Sequence, residues 1–157
     1  MRHGFASLAV WAAALAAAPA APAQVVEGGV HGLVLARDPA LVGGGVQAGI
    51  RTTPRTRFMA TLSAGALDDE VAGRGELLGH FLLNPFDATG VGLYGGGGLG
   101  AEVSHGEGRA YVVLLLGAEG RPAAGSGWFV EAGLGGGFRG AVGWRWRRMP
   151  AGWPRGR

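Results

Sequence analysis

The sequence predicts an all-β protein: a closed, eight-stranded antiparallel up-and-down β-barrel, preceded by a cleavable signal peptide. Three observations predict it. Polar and apolar residues alternate with period two through eight successive segments. Glycine supplies 33 of the 157 residues and interrupts nearly every window in which a helix would otherwise be written. Each such glycine costs a helix interior about 1 kcal/mol relative to alanine. The chain also begins with the ordered parts of a secretory signal.

Met1, Arg2 and His3 form a short positive start, and residues 5–18 are an alanine-rich apolar run too short to span a bilayer. Ala21 and Ala23 place small residues at −3 and −1, so cleavage is expected before Gln24. The organisation is then 1–23 signal peptide, 24–148 β-barrel domain and 149–157 a Pro/Gly/Arg-rich tail. Cleavage removes Arg2 and lowers the formal charge from +3 to +2. No later stretch reaches ~18 consecutive apolar residues free of glycine and charge, so no transmembrane helix is expected.

The eight strands are expected near 26–37, 42–52, 56–66, 73–83, 90–103, 109–120, 127–134 and 137–147. Turn-forming residues separate them: Asp38 and Pro39, Thr53 and Pro54, Leu67 to Asp69, Asn84 and Pro85, His105 and Gly106, Arg121 and Pro122, Gly135 and Gly136. Side-chain parity gives each strand two faces. Segment two sets Gln47 and Arg51 against Val46, Ala48 and Ile50. Segment three sets Arg57, Thr61 and Ser63 against Phe58, Ala60 and Leu62. Segment four sets Arg74, Glu76 and His80 against Leu77, Phe81 and Leu83. Segment five opposes Tyr94 and Glu102 to Leu93, Leu99 and Val103, with Gly96, Gly98 and Gly100 on the Tyr94 side. Segment seven opposes Glu131 to Trp128 and Val130, and segment eight opposes Arg139, Arg145 and Arg147 to Val142, Trp144 and Trp146. Segments one and six alternate less cleanly, because Leu33, Leu35, Val113 and Leu115 share the polar parity.

Alternation alone fits two environments: a soluble barrel with its apolar face inside, or a membrane barrel with that face in lipid. Three features favour the membrane. The apolar faces are nearly free of charge. Phe58, Phe81, Trp128, Trp144 and Trp146 gather at the end that holds the termini, as an interfacial girdle does, while Phe138 is the main aromatic at the other end. The polar faces carry both signs, Glu27, Glu76, Glu102, Glu119 and Glu131 against Arg37, Arg51, Arg57, Arg74, Arg139 and Arg145. Eight strands enclose an interior that side chains fill, and charges buried there must be paired. His31, His80 and Tyr94 share the inward parity and complete the expected lumen network.

On this signal, strand number and final strand, residues 25–148 resemble the small eight-stranded bacterial outer-membrane β-barrel proteins. Such proteins commonly end on a polar-x-Gly-x-x-apolar-x-aromatic strand. Arg139, Ala141, Trp144 and Trp146 stand at those positions, with alanine in place of glycine and a tail beyond the strand. The resemblance implies placement in the outer membrane, contact with its lipid, and delivery by the barrel assembly machinery.

Composition narrows the chemistry. Cysteine is absent, which removes disulfides, thiolate nucleophiles and Cys-ligated metals. All fourteen basic residues are arginine, so lysine-dependent chemistry is excluded as well. They are scattered along the chain, and nucleic acid is not an expected partner. Gly95, Gly97 and Gly100 match the spacing of a dinucleotide fingerprint, but no helix follows, and a glycine-rich strand is the reading. Ser104, His105 and Glu107 bring hydroxyl, imidazole and carboxylate to one turn, the only pointer to a lipid A-modifying enzyme. Asp68, Asp69 and Glu70 lack the spaced oxygens of a calcium loop. His31 and His80 have no metal-ligand pattern around them. Arg145, Arg147, Arg148, Arg155 and Arg157 make the C-terminal end basic, suited to anionic headgroups or periplasmic partners. The expectation is a non-enzymatic barrel without cofactor or metal, serving envelope structure, surface interaction or very narrow solute passage. The alternative is a soluble periplasmic calycin-like barrel with Trp128, Trp144 and Trp146 turned inward on an apolar ligand.

Overall fold

The computed structural model describes residues 24–67, 70–104 and 106–153. The expected cleavage residues Ala21 and Ala23, the acidic pair Asp68 and Asp69, and His105 lie outside the described residues; Gln24 is the first within them. Eight strands follow one another: β1 (Val25–Ala36), β2 (Leu41–Arg51), β3 (Thr56–Leu67), β4 (Glu70–Leu82), β5 (Val91–Ser104), β6 (Glu107–Gly120), β7 (Ser126–Leu134) and β8 (Phe138–Arg148). Each pairs antiparallel with its sequence neighbours, and β1 closes on β8, from Val26 opposite Arg148 to Ala36 opposite Phe138. Closure removes the open edges that a sheet of this length would present to other chains. One interval stays one-sided. Pairing of β6 with β7 ends at Leu114 and Leu134, so residues 107–113 of β6 lean on β5 alone.

The largest departure from the expected boundaries is at β4, which starts at Glu70 instead of 73. Leu67 pairs with Glu70, so Glu70 is the first residue of the strand. The rim away from the termini carries short connections: 37–40, 68–69, 105–106 and 135–137. Gly106 and Gly136 adopt φ of 78° and 72° there, the left-handed backbone that tight hairpins demand. The longest connection, 83–90, lies on the terminal rim. It is ordered by Asp87, whose Oδ1 accepts the N–H groups of Gly90 (2.6 Å) and Thr89 (2.9 Å). These bonds stabilise the carboxylate and hold its pKa below the ordinary value.

The two faces of the wall settle the parity. On β8, Trp144 and Trp146 are 37% and 52% exposed, while Arg145 and Arg147 between and beside them are 0% and 5%. Leu77, Leu99, Val112, Leu116 and Val142 likewise point outward, and Glu27, Arg51, Arg57 and Glu119 are buried. A soluble barrel would have the reverse. The soluble calycin-like alternative required inward tryptophans, and Trp128, Trp144 and Trp146 all face out.

The interior is less uniformly polar than the parity suggested. Leu33 and Leu35 pack with Leu41, Leu67, Ala72 and Ala141, mainly along β1 to β4 toward the loop-tip rim. Val113 and Leu115 pack with Met59, Leu78, Leu82 and Tyr94 against the other wall. These are the leucines and valine that blurred the alternation of segments one and six. They blur it because they face inward with the charges and fill space between them.

Candidate functional site

The inward charges form two connected groups. The first lies toward the terminal rim, where the ends of β1, β2, β3, β6 and β8 converge on Glu27 and Glu119. Arg51 Nε donates to Glu27, and its Nη2 reaches Glu119 Oε1 at 3.3 Å. Arg57 Nη1 bonds Glu119 Oε2 at 2.8 Å and Glu27 Oε2 at 3.3 Å. Arg145 Nη1 and Arg147 Nη2 approach the same Glu119 oxygen at 2.7 Å and 2.8 Å. Four guanidinium groups therefore share two carboxylates. Tyr94 floors this group: the Arg57 guanidinium sits 4.6 Å from its ring centroid, and His80 stacks on it at 5.1 Å while accepting from Arg57 Nε at 3.2 Å.

The second group lies toward the loop-tip rim. Arg74 Nη2 bonds Glu76 at 2.7 Å, and its Nη1 lies 3.4 Å from Glu102. Arg139 bridges Glu131 at 2.8 Å and Glu76 at 3.1 Å, and Arg37 reaches Glu102 at 2.5 Å. Tyr94 joins the groups, since its hydroxyl donates to Glu131 at 2.7 Å. His31 stands apart, bonded through Nε2 to Ser63 Oγ at 2.8 Å. Seven arginines thus face five glutamates among the described residues, neutral in the second group and two positive charges in excess in the first.

The structure also corrects and extends the expected lumen network. Arg147 belongs to this interior and not to a basic C-terminal surface: it is buried on Glu119, and it donates to the carbonyls of Arg121 and Ala124. Its shared parity with Arg139 and Arg145 was the available signal. Arg145, grouped with it at the basic end, is fully buried too, with its guanidinium 4.3 Å from the Phe129 ring centroid. Tyr111 lies 4.2 Å from the Arg74 guanidinium and over Gly100, where a Cβ would strike its ring. Gln47 accepts from Arg145 at 3.4 Å.

Phe58, Phe81, Trp128, Trp144 and Trp146 are between 37% and 53% exposed on the outer wall near the terminal rim. Gly95, Gly97 and Gly100 lie within β5, with no helix after them. Ser104 and Glu107 face each other across the β5–β6 hairpin. Among the described residues no group of three or more His, Asp or Glu is placed to hold a metal ion, and no helix is long and apolar enough to cross a membrane, which does not bear on crossing by strands.

No protein-family model matches the chain, and no curated protein matches it. Among solved structures, the N-terminal β-barrel domain of Pseudomonas aeruginosa OprF is similar, with a TM-score of 0.58 and 13% identity over 79% of this chain and 97% of that one. At that identity the likeness is one of fold: a small, closed, eight-stranded barrel of the kind found among outer-membrane proteins.

Proposed function

We propose that the chain is secreted across the inner membrane and resides in the bacterial outer membrane as a non-enzymatic barrel. Its filled lumen makes it a scaffold for envelope structure or surface interaction, with at most a very narrow solute path. One observation carries this reading: the outer wall is apolar and the charges are inside. Strands of 9 to 14 residues are long enough to cross a bilayer when tilted. Outer-membrane lipid is the partner of the wall, and the barrel assembly machinery the partner of β8, through Arg139, Ala141, Trp144 and Trp146. With the termini on the periplasmic side, the aromatic girdle lies at the periplasmic interface. This reading involves no nucleic acid, metal or cofactor.

The test is direct. Purified full-length protein should migrate differently in unheated and boiled gel samples, and lipid brominated near the headgroup should quench Trp128, Trp144 and Trp146. A barrel that stays off vesicles and keeps full tryptophan emission would exclude the membrane. Lipid A altered by expression of the wild type, but not by a Ser104→Ala variant, would exclude the non-enzymatic part.

A further inference from the structure

At the terminal rim, the β2–β3 turn and the 83–90 connection enclose an open recess of about 460 Å³. Arg55 forms one wall. Its carbonyl accepts the N–H of Leu82 at 2.8 Å, its own N–H donates to Thr53 Oγ1 at 3.3 Å, and its Nη1 donates to the carbonyl of Leu83 at 3.2 Å. The side chain is therefore oriented, while Nε and Nη2 have no partner among the described residues. Asp87 lines the same recess. Its Oδ1 serves the Gly90 and Thr89 amides, and its Oδ2 accepts nothing from the described residues. Leu83 and Phe86, 51% and 36% exposed, line the same recess, and Phe81, two residues before Leu83 in the chain, is 53% exposed on the outer wall.

We infer that this recess binds the headgroup of an amine-bearing phospholipid, with the phosphodiester on Arg55, the ammonium on Asp87 and an acyl chain along Leu83 and Phe86. A guanidinium with two free donors suits a phosphate oxygen pair. A carboxylate with one open oxygen suits an N–H donor. Phosphatidylethanolamine offers both. Phosphatidylcholine has the charge without the N–H, and phosphatidylglycerol has no cation. The inference rests on the membrane placement proposed above, because only a barrel embedded to its girdle brings the recess level with headgroups.

Native mass spectrometry of the detergent-solubilised full chain, titrated with short-chain forms of the three lipids, tests it. Phosphatidylethanolamine should bind about two- to fivefold tighter than either other lipid, the range of a solvent-exposed ion pair. Asp87→Asn keeps an acceptor for the Gly90 and Thr89 amides, so the connection stays folded, and it should abolish that preference. Arg55→Gln should weaken all three lipids by a similar factor. Glycerophosphoethanolamine, the same headgroup without acyl chains, should bind at least about tenfold more weakly, since it leaves Leu83 and Phe86 uncovered. Equal binding of the three lipids to wild type overturns the inference, as does a preference that survives Asp87→Asn. So does glycerophosphoethanolamine binding as tightly as the lipid. Co-flotation with vesicles, measured in parallel, separates the two failures: a protein that floats but shows no preference loses only the headgroup site, and one that does not float loses both.

Discussion

Replacing Glu119 by glutamine should be among the most damaging conservative changes available in this barrel. The carboxylate accepts from Arg57, Arg145 and Arg147 on one oxygen, at 2.7 to 2.8 Å, and from Arg51 on the other at 3.3 Å. The amide keeps the shape and loses the charge. Arg51, Arg57 and Arg147 are then left to Glu27, Arg145 keeps only approaches of 3.6 Å to Glu27 and Glu131, and the positive excess of the group rises from two charges to three. Removing one partner of a buried ion pair costs ~3–5 kcal/mol. With four partners on one carboxylate, and with Arg145 and Arg57 fully buried, the upper half of that range is expected. Urea titration of the barrel folded in vesicles, followed by tryptophan emission and unheated gel mobility, measures it. The exposed Glu107→Gln should stay within ~0.5 kcal/mol of wild type. Adding Arg147→Gln to Glu119→Gln should return at least ~1 kcal/mol, because Arg147 has its closest carboxylate in Glu119 and only a 3.9 Å approach to Glu27. The reasoning fails if Glu119→Gln is no more costly than Glu107→Gln.

Gly117→Ala should cost ~1–3 kcal/mol, since a Cβ there collides with the Tyr94 ring that carries the bond to Glu131, whereas Gly73→Ala meets nothing within 4 Å and should be near neutral in the same titration. Leu77→Arg, at mid-height on the outer wall, should destabilise the vesicle-folded barrel by ~2–4 kcal/mol and Trp146→Arg, near the rim, by ~0–1 kcal/mol; equal, small effects would contradict a lipid-facing wall. The 83–90 connection should loosen in acid: with the Asp87 pKa lowered on folding, its contribution is complete above the ordinary carboxylate range and fades as pH falls through the lowered value. The Gly90 amide shift, followed by NMR, should therefore titrate in wild type and stay flat below neutral pH in Asp87→Asn.

The sequence made the strands legible because the wall separates two unlike environments, so every second residue reports one of them. Arg74, Glu76 and His80 against Leu77 and Phe81 is such a report, and the observed exposures follow it. Parity says which face a residue takes but not which residue it meets across the lumen. The bonds that organise the interior join positions far apart in the chain, 98 apart for Arg145 and Gln47 and 62 apart for Arg57 and Glu119. No local pattern encodes those distances. Nor does parity separate a charged interior position from an apolar one, which is why Leu33, Leu35, Val113 and Leu115 broke the alternation without being read as lumen filling. Arg147 was misplaced for a different reason. It sits beside Arg148 at the end of the last strand, and a run of arginines near a terminus looks like a solvated basic end, although period two had already placed it with Arg139 and Arg145.

The interior also gives a reason for arginine at the seven inward cation positions, half of the fourteen arginines of a chain without lysine. A lumen filled by side chains leaves little water to complete the hydrogen bonds of a buried cation, so each cation must find several acceptors in protein. Arg57 does this with one planar group: Nη1 serves Glu27 and Glu119, Nε reaches His80, and the flat face lies over Tyr94. Arg139 spans Glu76 and Glu131, and Arg145 covers Phe129 while bonding Glu119. A lysine ammonium is a compact point charge with strong hydration and no flat face. It carries the same charge but three donors instead of five, and it cannot bridge two carboxylates in one plane while stacking on a ring. A solute crossing the lumen would have to part several of these shared pairs at once, each costly to open where water is scarce. The same forks that let arginine fill the barrel therefore work against its serving as an open channel, and they favour the scaffold reading over the conducting one.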